Sequence, residues 1–136
     1  MRIIGGSAKG RRFAPPKSFD SRPTTDFARE GLFNVLTHQM DFENITVLDL
    51  CCGSGAISYE FASRGAKSVI AVDRNADCIR FIKKNAETFR LPQIKAIRAD
   101  VQTFLKKSNQ RFDLIIADPP FSMDVLEKWY QLMLDG

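Results

Sequence analysis

Residues 45–55 read ITVLDLCCGSG, in which an apolar run, 45–50, has an aspartate as its next-to-last residue and is followed by a turn containing two glycines. A short run of this composition is typical of a strand buried on both faces of a parallel sheet. Gly53 and Gly55 let the backbone turn sharply and approach a ligand closely before a helix begins. The stretch therefore predicts a strand–turn–helix unit with a binding loop at the carboxyl end of the strand.

The alternation of strand and helix continues on the carboxyl side of this unit. A helix is expected from the glycine turn to about Ser63, and three further strand–helix pairs follow it. The predicted strands are 68–72, 94–98 and 112–117, and the predicted helices are about 75–89, 101–107 and 123–134. Strands that alternate with helices predict an α/β fold with a parallel, doubly wound sheet and right-handed crossovers.

The amino-terminal part has a different character. Two short apolar and basic stretches, 2–4 and 11–13, flank a glycine-rich connection, which predicts a small β-hairpin. A helix is expected from Thr24, Thr25 or Asp26 to about Met40. Its apolar residues at helical spacing are Phe27, Leu32, Phe33, Leu36 and Met40. We therefore divide the chain into a basic hairpin-and-helix extension, 1–44, and a core, 45–136.

The positive charge is concentrated at the amino end. Residues 1–31 contain seven basic and three acidic side chains, so their net charge of +4 equals that of the whole 136-residue chain. A basic arm ahead of a neutral core favours contact with nucleic-acid phosphates, although a solvated surface arm would have the same composition.

Composition excludes several other classes of protein. The chain is 44% apolar and 26% charged, with no apolar run long enough to span a membrane and no signal-peptide pattern. Its three cysteines form no C-x-x-C, and His38 is the single histidine, so neither a disulfide scaffold nor a metal site is expected. This usage fits a reducing cytoplasm.

An aspartate stands at or just beyond the end of each predicted strand. These are Asp49, Asp73, Asp100 and Asp118. One such residue often caps the following helix, but four at one sheet edge form an acidic rim that favours a cationic ligand and repels a pyrophosphate. The turn also lacks the third glycine of a dinucleotide loop, because position 58 is serine. The rim therefore favours S-adenosylmethionine, a sulfonium, over a nicotinamide dinucleotide.

The last strand leads directly into Asp118-Pro119-Pro120-Phe121. The two prolines fix φ and remove two backbone N–H groups, so they hold a stiff turn rich in hydrogen-bond acceptors. Phe121 adds a face on which a flat ring can stack. Acceptors beside an aromatic ring suit the exocyclic amino group of a nucleobase, although an ordinary strand-ending turn is the simpler interpretation of these four residues alone.

The combined motifs resemble the RsmD family of class I methyltransferases. The resemblance lies in Asp49 to Ala56, in Asp118 to Phe121, and in the amino-terminal segments 1–11 and 22–30. It implies methyl transfer from S-adenosylmethionine to the N2 amine of a guanine in bacterial 16S rRNA, with the assembled small ribosomal subunit as substrate. The family fold is a Rossmann-like sheet of seven strands, of which about three carboxyl-terminal strands are absent here.

The resemblance also implies roles for individual residues. The catalytic residues would be Asp118, Pro119, Pro120 and Phe121. The cofactor-binding residues would be Asp49, Cys51, Gly53, Gly55, Asp73, Arg74, Asp100 and Val101. The RNA-binding residues would be Lys9, Arg11, Arg12, Arg22 and Arg29. Phe27 departs from the pattern, because many members of the family have a basic residue at that position.

Three other functions are compatible with parts of the pattern. The Asp-Pro-Pro-Phe motif would equally serve methylation of the N6 amine of adenine in DNA or of a glutamine amide in a protein. The incomplete sheet could leave a nucleic-acid-binding fragment without turnover. A nicotinamide-dependent oxidoreductase is disfavoured by the acidic rim and by the missing third glycine.

Overall fold

A computed structural model of the chain describes residues 1–16, Phe19 and residues 25–117. Each strand and helix predicted within this part is present. The strands are β1 (Thr46–Leu50), β2 (Ser68–Asp73), β3 (Ile94–Arg98) and β4 (Leu114–Ala117). The helices are α1 (Asp26–Gln39), α2 (Ala56–Ser63), α3 (Ala76–Thr88) and α4 (Val101–Lys107), with a 3-10 turn at Phe42–Asn44. The predicted helix over 123–134 lies outside the described residues.

The four strands form one parallel sheet in the order β3-β2-β1-β4. The chain adds β2 and β3 on one side of β1 and then crosses to place β4 on the other side. Leu50 at the end of β1 lies opposite both Val72 and Ala117, so the carboxyl ends of these strands are level. This arrangement confirms the predicted α/β fold and creates a switch point beside β1, where open parallel sheets bind ligands.

Apolar side chains cover both faces of the sheet. One face, with Val47 and Val69, packs against a layer built from α1, α2, α3 and the amino-terminal arm. The opposite face, with Leu48 and Leu50, packs against Val101 and other residues of α4. Consecutive strand residues point to opposite faces, so the continuous apolar run in β1 supplies both layers. None of the helices in the described part of the chain is long and apolar enough to cross a membrane.

The predicted amino-terminal hairpin is present and joins the main core. Arg2 and Arg12 form an antiparallel bridge, and the Ile3 amide donates to the Arg11 carbonyl oxygen at 2.9 Å. Ile3 and Phe13 are buried in the same cluster as residues of α1, α2 and β1. The boundary drawn at residue 44 therefore separates two kinds of sequence, while both sides of it contribute to one hydrophobic core.

Helix α1 is confirmed, but its buried face differs from the expected one. The Thr25 hydroxyl accepts a hydrogen bond from the Ala28 amide at 3.1 Å and caps the helix. Among the apolar residues that defined the helix, Phe33 is fully buried, whereas Phe27 is 86% exposed. The charged residue Arg29 is fully buried instead. Helical spacing located this helix correctly without identifying which side of it faces the core.

Candidate functional site

The turn after β1 adopts a left-handed backbone at three residues. Cys51, Gly53 and Gly55 have φ values of 57°, 54° and 85°. The Gly55 amide donates to the Cys52 carbonyl oxygen at 2.8 Å, and the Cys52 amide donates to the Val72 carbonyl oxygen at 3.2 Å. A non-glycine residue with positive φ costs about 1 kcal/mol or more. Strain at Cys51 was not predicted, and it lies within the predicted cofactor loop.

Asp73 fixes this turn against the second strand. One of its carboxylate oxygens accepts a hydrogen bond from the Gly53 amide at 3.1 Å. The other accepts from the Asn75 amide at 2.9 Å, where α3 begins. The structure thus brings together Gly53 and Asp73, which the sequence placed in one site. The carboxylate oxygens retain further lone pairs that ligand hydroxyl groups could use.

Asp49 is buried beneath the turn. Its side chain is 4% exposed and accepts a hydrogen bond from the Ser58 hydroxyl at 2.7 Å. Burial, with a smaller contribution from the nearby charge of Asp73, raises the pKa of Asp49 from 3.8 to about 7, while the Ser58 hydrogen bond acts in the opposite direction. Asp49 therefore supports the first turn of α2 from below.

The raised pKa of Asp49 predicts a pH-dependent stability. Between about pH 4 and pH 7 the folded protein keeps a proton that the unfolded chain has released, so the free energy of unfolding should fall as pH rises through this window. Asp49→Asn removes the titration. The difference between wild type and Asp49→Asn in the free energy of unfolding, measured in urea, should change by up to about 1.4 kcal/mol per pH unit.

Ser58→Ala provides the matched comparison for this pH dependence. The Ser58 hydroxyl stabilises the ionised form of Asp49, so its removal should raise the upper limit of the pH window, while the lower limit, set by the unfolded chain, stays in place. If the free energies of unfolding of wild type and Asp49→Asn changed in parallel across this pH window, Asp49 would not be taking up a proton on folding.

Position 55 must be glycine because it packs closely against side chains of α2 and α3. A Cβ atom at this position would lie 2.7 Å from Ile82 Cγ1 and 2.8 Å from Tyr59 Cζ. The side of Gly55 that a side chain would occupy therefore faces the interior, where α2 meets α3. The sequence identified the glycine, but the packing shows a structural need for it that is independent of any ligand.

The remaining predicted cofactor residues lie at the same edge. Asp100 is exposed and caps α4, because its carboxylate accepts from the Thr103 amide at 3.1 Å. Val101 is buried beneath it against the second face of the sheet. Arg74 is exposed after β2, and its carbonyl oxygen accepts from Arg98 Nε at 3.2 Å. The edge thus presents two carboxylates, Asp73 and Asp100, above an apolar floor.

The two adjacent cysteines are not activated nucleophiles. Burial and the charges of Asp73 and Asp49 raise the pKa of Cys51 to about 12. Burial likewise raises the pKa of Cys52 well above its ordinary value. A thiol must lose its proton to act as a nucleophile, so both residues serve as small side chains lining the turn.

A buried carboxylate joins the amino-terminal arm to α2. Glu60, which is fully buried, accepts hydrogen bonds from the amides of Ile4 and Gly5 at 2.9 and 3.0 Å. It also pairs with Arg29 at 3.2 Å and with Arg64 at 2.8 Å. The helix that begins after the turn Cys51–Gly55 therefore also holds the basic arm, and the turn and the arm have a fixed relative position.

Comparisons with known proteins agree with this geometry. Residues 1–135 match the family described as "Conserved hypothetical protein 95". The ribosomal RNA small subunit methyltransferase D of Escherichia coli strain K12 is 32% identical over 136 residues, which are 100% of this chain and 68% of that protein. The chain belongs to the RsmD family.

A second sequence relative and a solved structure also match this RsmD family member. The putative rRNA methyltransferase YlbH of Bacillus subtilis is 35% identical over 147 residues, covering 100% of this chain and 79% of that protein. The solved structure of the putative methyltransferase yhhF from Escherichia coli has a TM-score of 0.87 and 30% identity, and the match covers 99% of this chain and 72% of that one. The partial coverage of these relatives agrees with the prediction that later strands of the sheet are absent.

The predicted RNA-binding residues of this RsmD family member differ in their exposure. Lys9, Arg11 and Arg12 are exposed on the arm. Arg11 donates to the Thr88 carbonyl oxygen at 2.8 Å and lies 5.5 Å from the centre of the Phe89 ring. Arg22 lies outside the described residues, as do the predicted catalytic residues Asp118, Pro119, Pro120 and Phe121.

Arg29 does not have the position that RNA binding requires. Its guanidinium is fully buried and pairs with Glu60 and with Asp26, the latter at 2.8 Å. It also donates to the Arg2 carbonyl oxygen. These contacts direct it inward, so it cannot meet a phosphate at the surface. The sequence contained one signal of this outcome, a lone glutamate in the apolar segment Ala56–Ser63, because a buried carboxylate needs a buried cation.

Proposed function

We propose that this protein transfers a methyl group from S-adenosylmethionine to the exocyclic N2 amine of a guanine in 16S rRNA, within the small ribosomal subunit in the cytoplasm. The observation that carries the proposal is the strained turn at Cys51–Gly55, held by Asp73 at the carboxyl edge of the parallel sheet. It occurs in a chain whose relatives are named ribosomal RNA small subunit methyltransferase D.

The chemistry of this edge fits the proposed cofactor. Asp73 is suited to accept hydrogen bonds from ribose hydroxyls, and Asp100 from the amino group of adenine, with Val101 beneath the ring. The Gly53–Gly55 turn would carry the amino-acid part, and Arg74 would border the ribose. Asp49 would act through the turn, because its carboxylate is buried and accepts a hydrogen bond from Ser58. S-adenosylmethionine would supply an electrophilic methyl group at this edge.

The amine of the target base would be oriented by the residues that follow β4. The Asp118 carboxylate and the Pro119 carbonyl oxygen would accept hydrogen bonds from the N2 amine, while Phe121 stacks on the guanine. Pro120 would hold the turn stiff. These contacts direct the nitrogen lone pair toward the methyl group, so most of the rate enhancement would come from orientation and electrostatics. Asp118 need not be a strong base, because the amine becomes acidic only as the new bond forms.

The arm would hold the RNA while the base is presented. The exposed cations Lys9, Arg11 and Arg12 would contact phosphates, together with Arg22. Because Glu60 anchors the arm to α2, these cations have a fixed position relative to the cofactor turn. The target guanine would leave its stack to reach the edge of the sheet, as bases do in other nucleic-acid-modifying enzymes.

A methyl-transfer assay tests the proposal directly. The protein is incubated with S-adenosylmethionine labelled in the methyl group and with small subunits from cells that lack the modification, and the labelled nucleoside is identified. Label in N2-methylguanosine is the expected result. Parallel reactions offer DNA and a protein acceptor. Label in N6-methyladenine of the DNA or in methylglutamine of the protein would assign one of the alternative substrates, and cofactor binding without transfer would indicate a non-catalytic RNA-binding protein.

Asp118 provides the decisive variants for this assay. Asp118→Ala should lower turnover at least about 100-fold, because it removes an acceptor that positions the amine, while cofactor affinity measured by calorimetry stays near wild type. Asp118→Asn keeps one acceptor oxygen and should retain more activity than the alanine variant. An equal loss of cofactor affinity in both variants would assign Asp118 to cofactor binding.

A further inference from the structure

Phe27 is the most exposed large apolar side chain in the described part of the chain. It is 86% exposed, compared with 56% for Val35 and 39% for Leu32 on the same helix. The inward side of α1 is occupied by Phe33 and Arg29, which are both fully buried. The fold therefore gains little from a phenylalanine at position 27, and isolated exposure alone would require no explanation.

The surroundings of Phe27 give its exposure a chemical context. The preceding residue, Asp26, accepts a hydrogen bond from the Arg2 amide at 3.3 Å, so the first turn of α1 is attached to the arm at Arg2. Arg2 bridges to Arg12, and directly opposed residues of an antiparallel pair project from the same face. Both arginines are exposed. The hydrogen bond between the Arg2 amide and Asp26 limits the distance between the Cα atoms of Arg2 and Phe27 to about 12 Å, and Arg12 is paired with Arg2.

We propose that Phe27, Arg2 and Arg12 form an aromatic–basic site that binds an unpaired nucleotide of the RNA substrate. The ring of Phe27 would stack on a base, and the two guanidinium groups would contact the adjoining phosphates. The inference rests on the proposed function and deepens it, because it specifies single-stranded RNA next to the target. Duplex RNA would not bind in this way, since its base faces are covered by stacking.

The charge of the arm favours RNA over a protein partner. The net charge of +4 in residues 1–31 complements phosphates, and one of these cations, Arg2, is hydrogen-bonded through its amide to Asp26, the neighbour of Phe27. A protein-docking face would require a continuous apolar patch, whereas Leu32 is only 39% exposed and Val35 lies two turns beyond Phe27 along α1. The site is also rigidly placed. Asp26 pairs with Arg29, which pairs with Glu60 on the helix that starts at the cofactor turn.

Equilibrium binding of a labelled single-stranded RNA tests the site. Phe27→Ala should weaken binding about tenfold, within the range for loss of one base–aromatic stack, and Phe27→Tyr should restore it. The salt dependence should not change with Phe27→Ala, because no charge is lost. Arg2→Ala and Arg12→Ala should each reduce the slope of log K against log salt by about 0.7. Val35→Ala is the matched control and should bind as wild type does.

A duplex of the same sequence completes the test, and Phe27→Ala should bind it as tightly as wild type. Unchanged single-stranded affinity in Phe27→Ala would overturn the inference. So would loss of self-association in that variant with RNA affinity unchanged, which would assign Phe27 to a protein contact. If the wild-type protein bound RNA and transferred methyl groups while Phe27→Ala matched it, only this inference would fail. If wild type did neither, the proposed function itself would fail.

Discussion

Replacing Glu60 by alanine is expected to lower the free energy of unfolding by about 3–5 kcal/mol, as is typical when one partner of a buried ion pair is removed. Glu60 is fully buried and accepts four hydrogen bonds, two from backbone amides and two from arginines. The variant would leave the buried guanidinium of Arg29 without its carboxylate on α2, and the amides of Ile4 and Gly5 without acceptors. Urea unfolding measures the loss.

Two further variants separate charge from position in this network. Glu87→Ala, at an exposed position on α3, should change the free energy of unfolding by less than about 0.5 kcal/mol. Glu60→Gln keeps the shape of the side chain and one acceptor oxygen. Its loss in the free energy of unfolding should therefore lie between those of Glu60→Ala and Glu87→Ala. Hydrogen exchange at Ile4 and Gly5 should accelerate most in the alanine variant. If Glu60→Ala were as stable as Glu87→Ala, this ion-pair network would not be what anchors the arm.

Substituting Gly6 by alanine is expected to separate the hairpin from α2. The backbone at Gly6 has a φ of 81°, and a Cβ atom would lie 1.8 Å from the Ser63 carbonyl oxygen. That oxygen is backbone and already accepts a hydrogen bond from the Ser7 amide at 2.7 Å, so it cannot move aside without breaking the contact. Left-handed strain and overpacking together predict a loss of about 2–5 kcal/mol in the free energy of unfolding.

Gly10 provides the matched control in the same hairpin. Its φ of 84° is nearly equal to that of Gly6, but no atom lies within 4 Å of the position that a Cβ would take. Gly10→Ala should therefore cost only the backbone strain, about 1–2 kcal/mol. The difference between the two variants, measured by denaturant unfolding, isolates the contact with α2. Equal losses would mean that the hairpin does not rest on Ser63 in solution.

Local patterns predicted the secondary structure closely. Strand β3 and helix α4 have the bounds that were expected, Ile94–Arg98 and Val101–Lys107, and β1 begins one residue later than expected. These elements are defined by runs and spacings within the sequence itself. The parallel sheet could also be predicted from the sequence, because the alternation of strands and helices leaves few other arrangements.

The buried face of α1 could not be predicted from the same kind of pattern. Phe27 and Arg29 exchange the places that hydrophobicity assigns to them, with the aromatic ring exposed and the guanidinium inside. The cause is Glu60, which lies 31 residues further along the chain and neutralises Arg29 in the interior. A spacing rule applied to one helix contains no information about such a distant partner.

The candidate site shows the same division. The glycine turn and Asp73 could be placed together from sequence, because the ends of neighbouring parallel strands share one edge. The separate roles of Asp49 and Asp100 could not be predicted from sequence. Asp49 faces Ser58 beneath the turn, whereas Asp100 caps a helix at the surface, and both follow from side-chain packing that strand position does not determine.

The position of β4 in the sheet has a consequence for the order of assembly during synthesis. Its neighbour is β1, and the hydrogen bond from the Thr46 amide to Asp113 spans 67 residues. The arm, β1, α2, β2, α3 and β3 are all made before β4, and their mutual contacts are available without it. Closing the loop between β1 and β4 comes last along the nascent chain. The turn that would hold the cofactor can thus be in place before the ribosome has added the Asp-Pro-Pro-Phe segment that would act on the base.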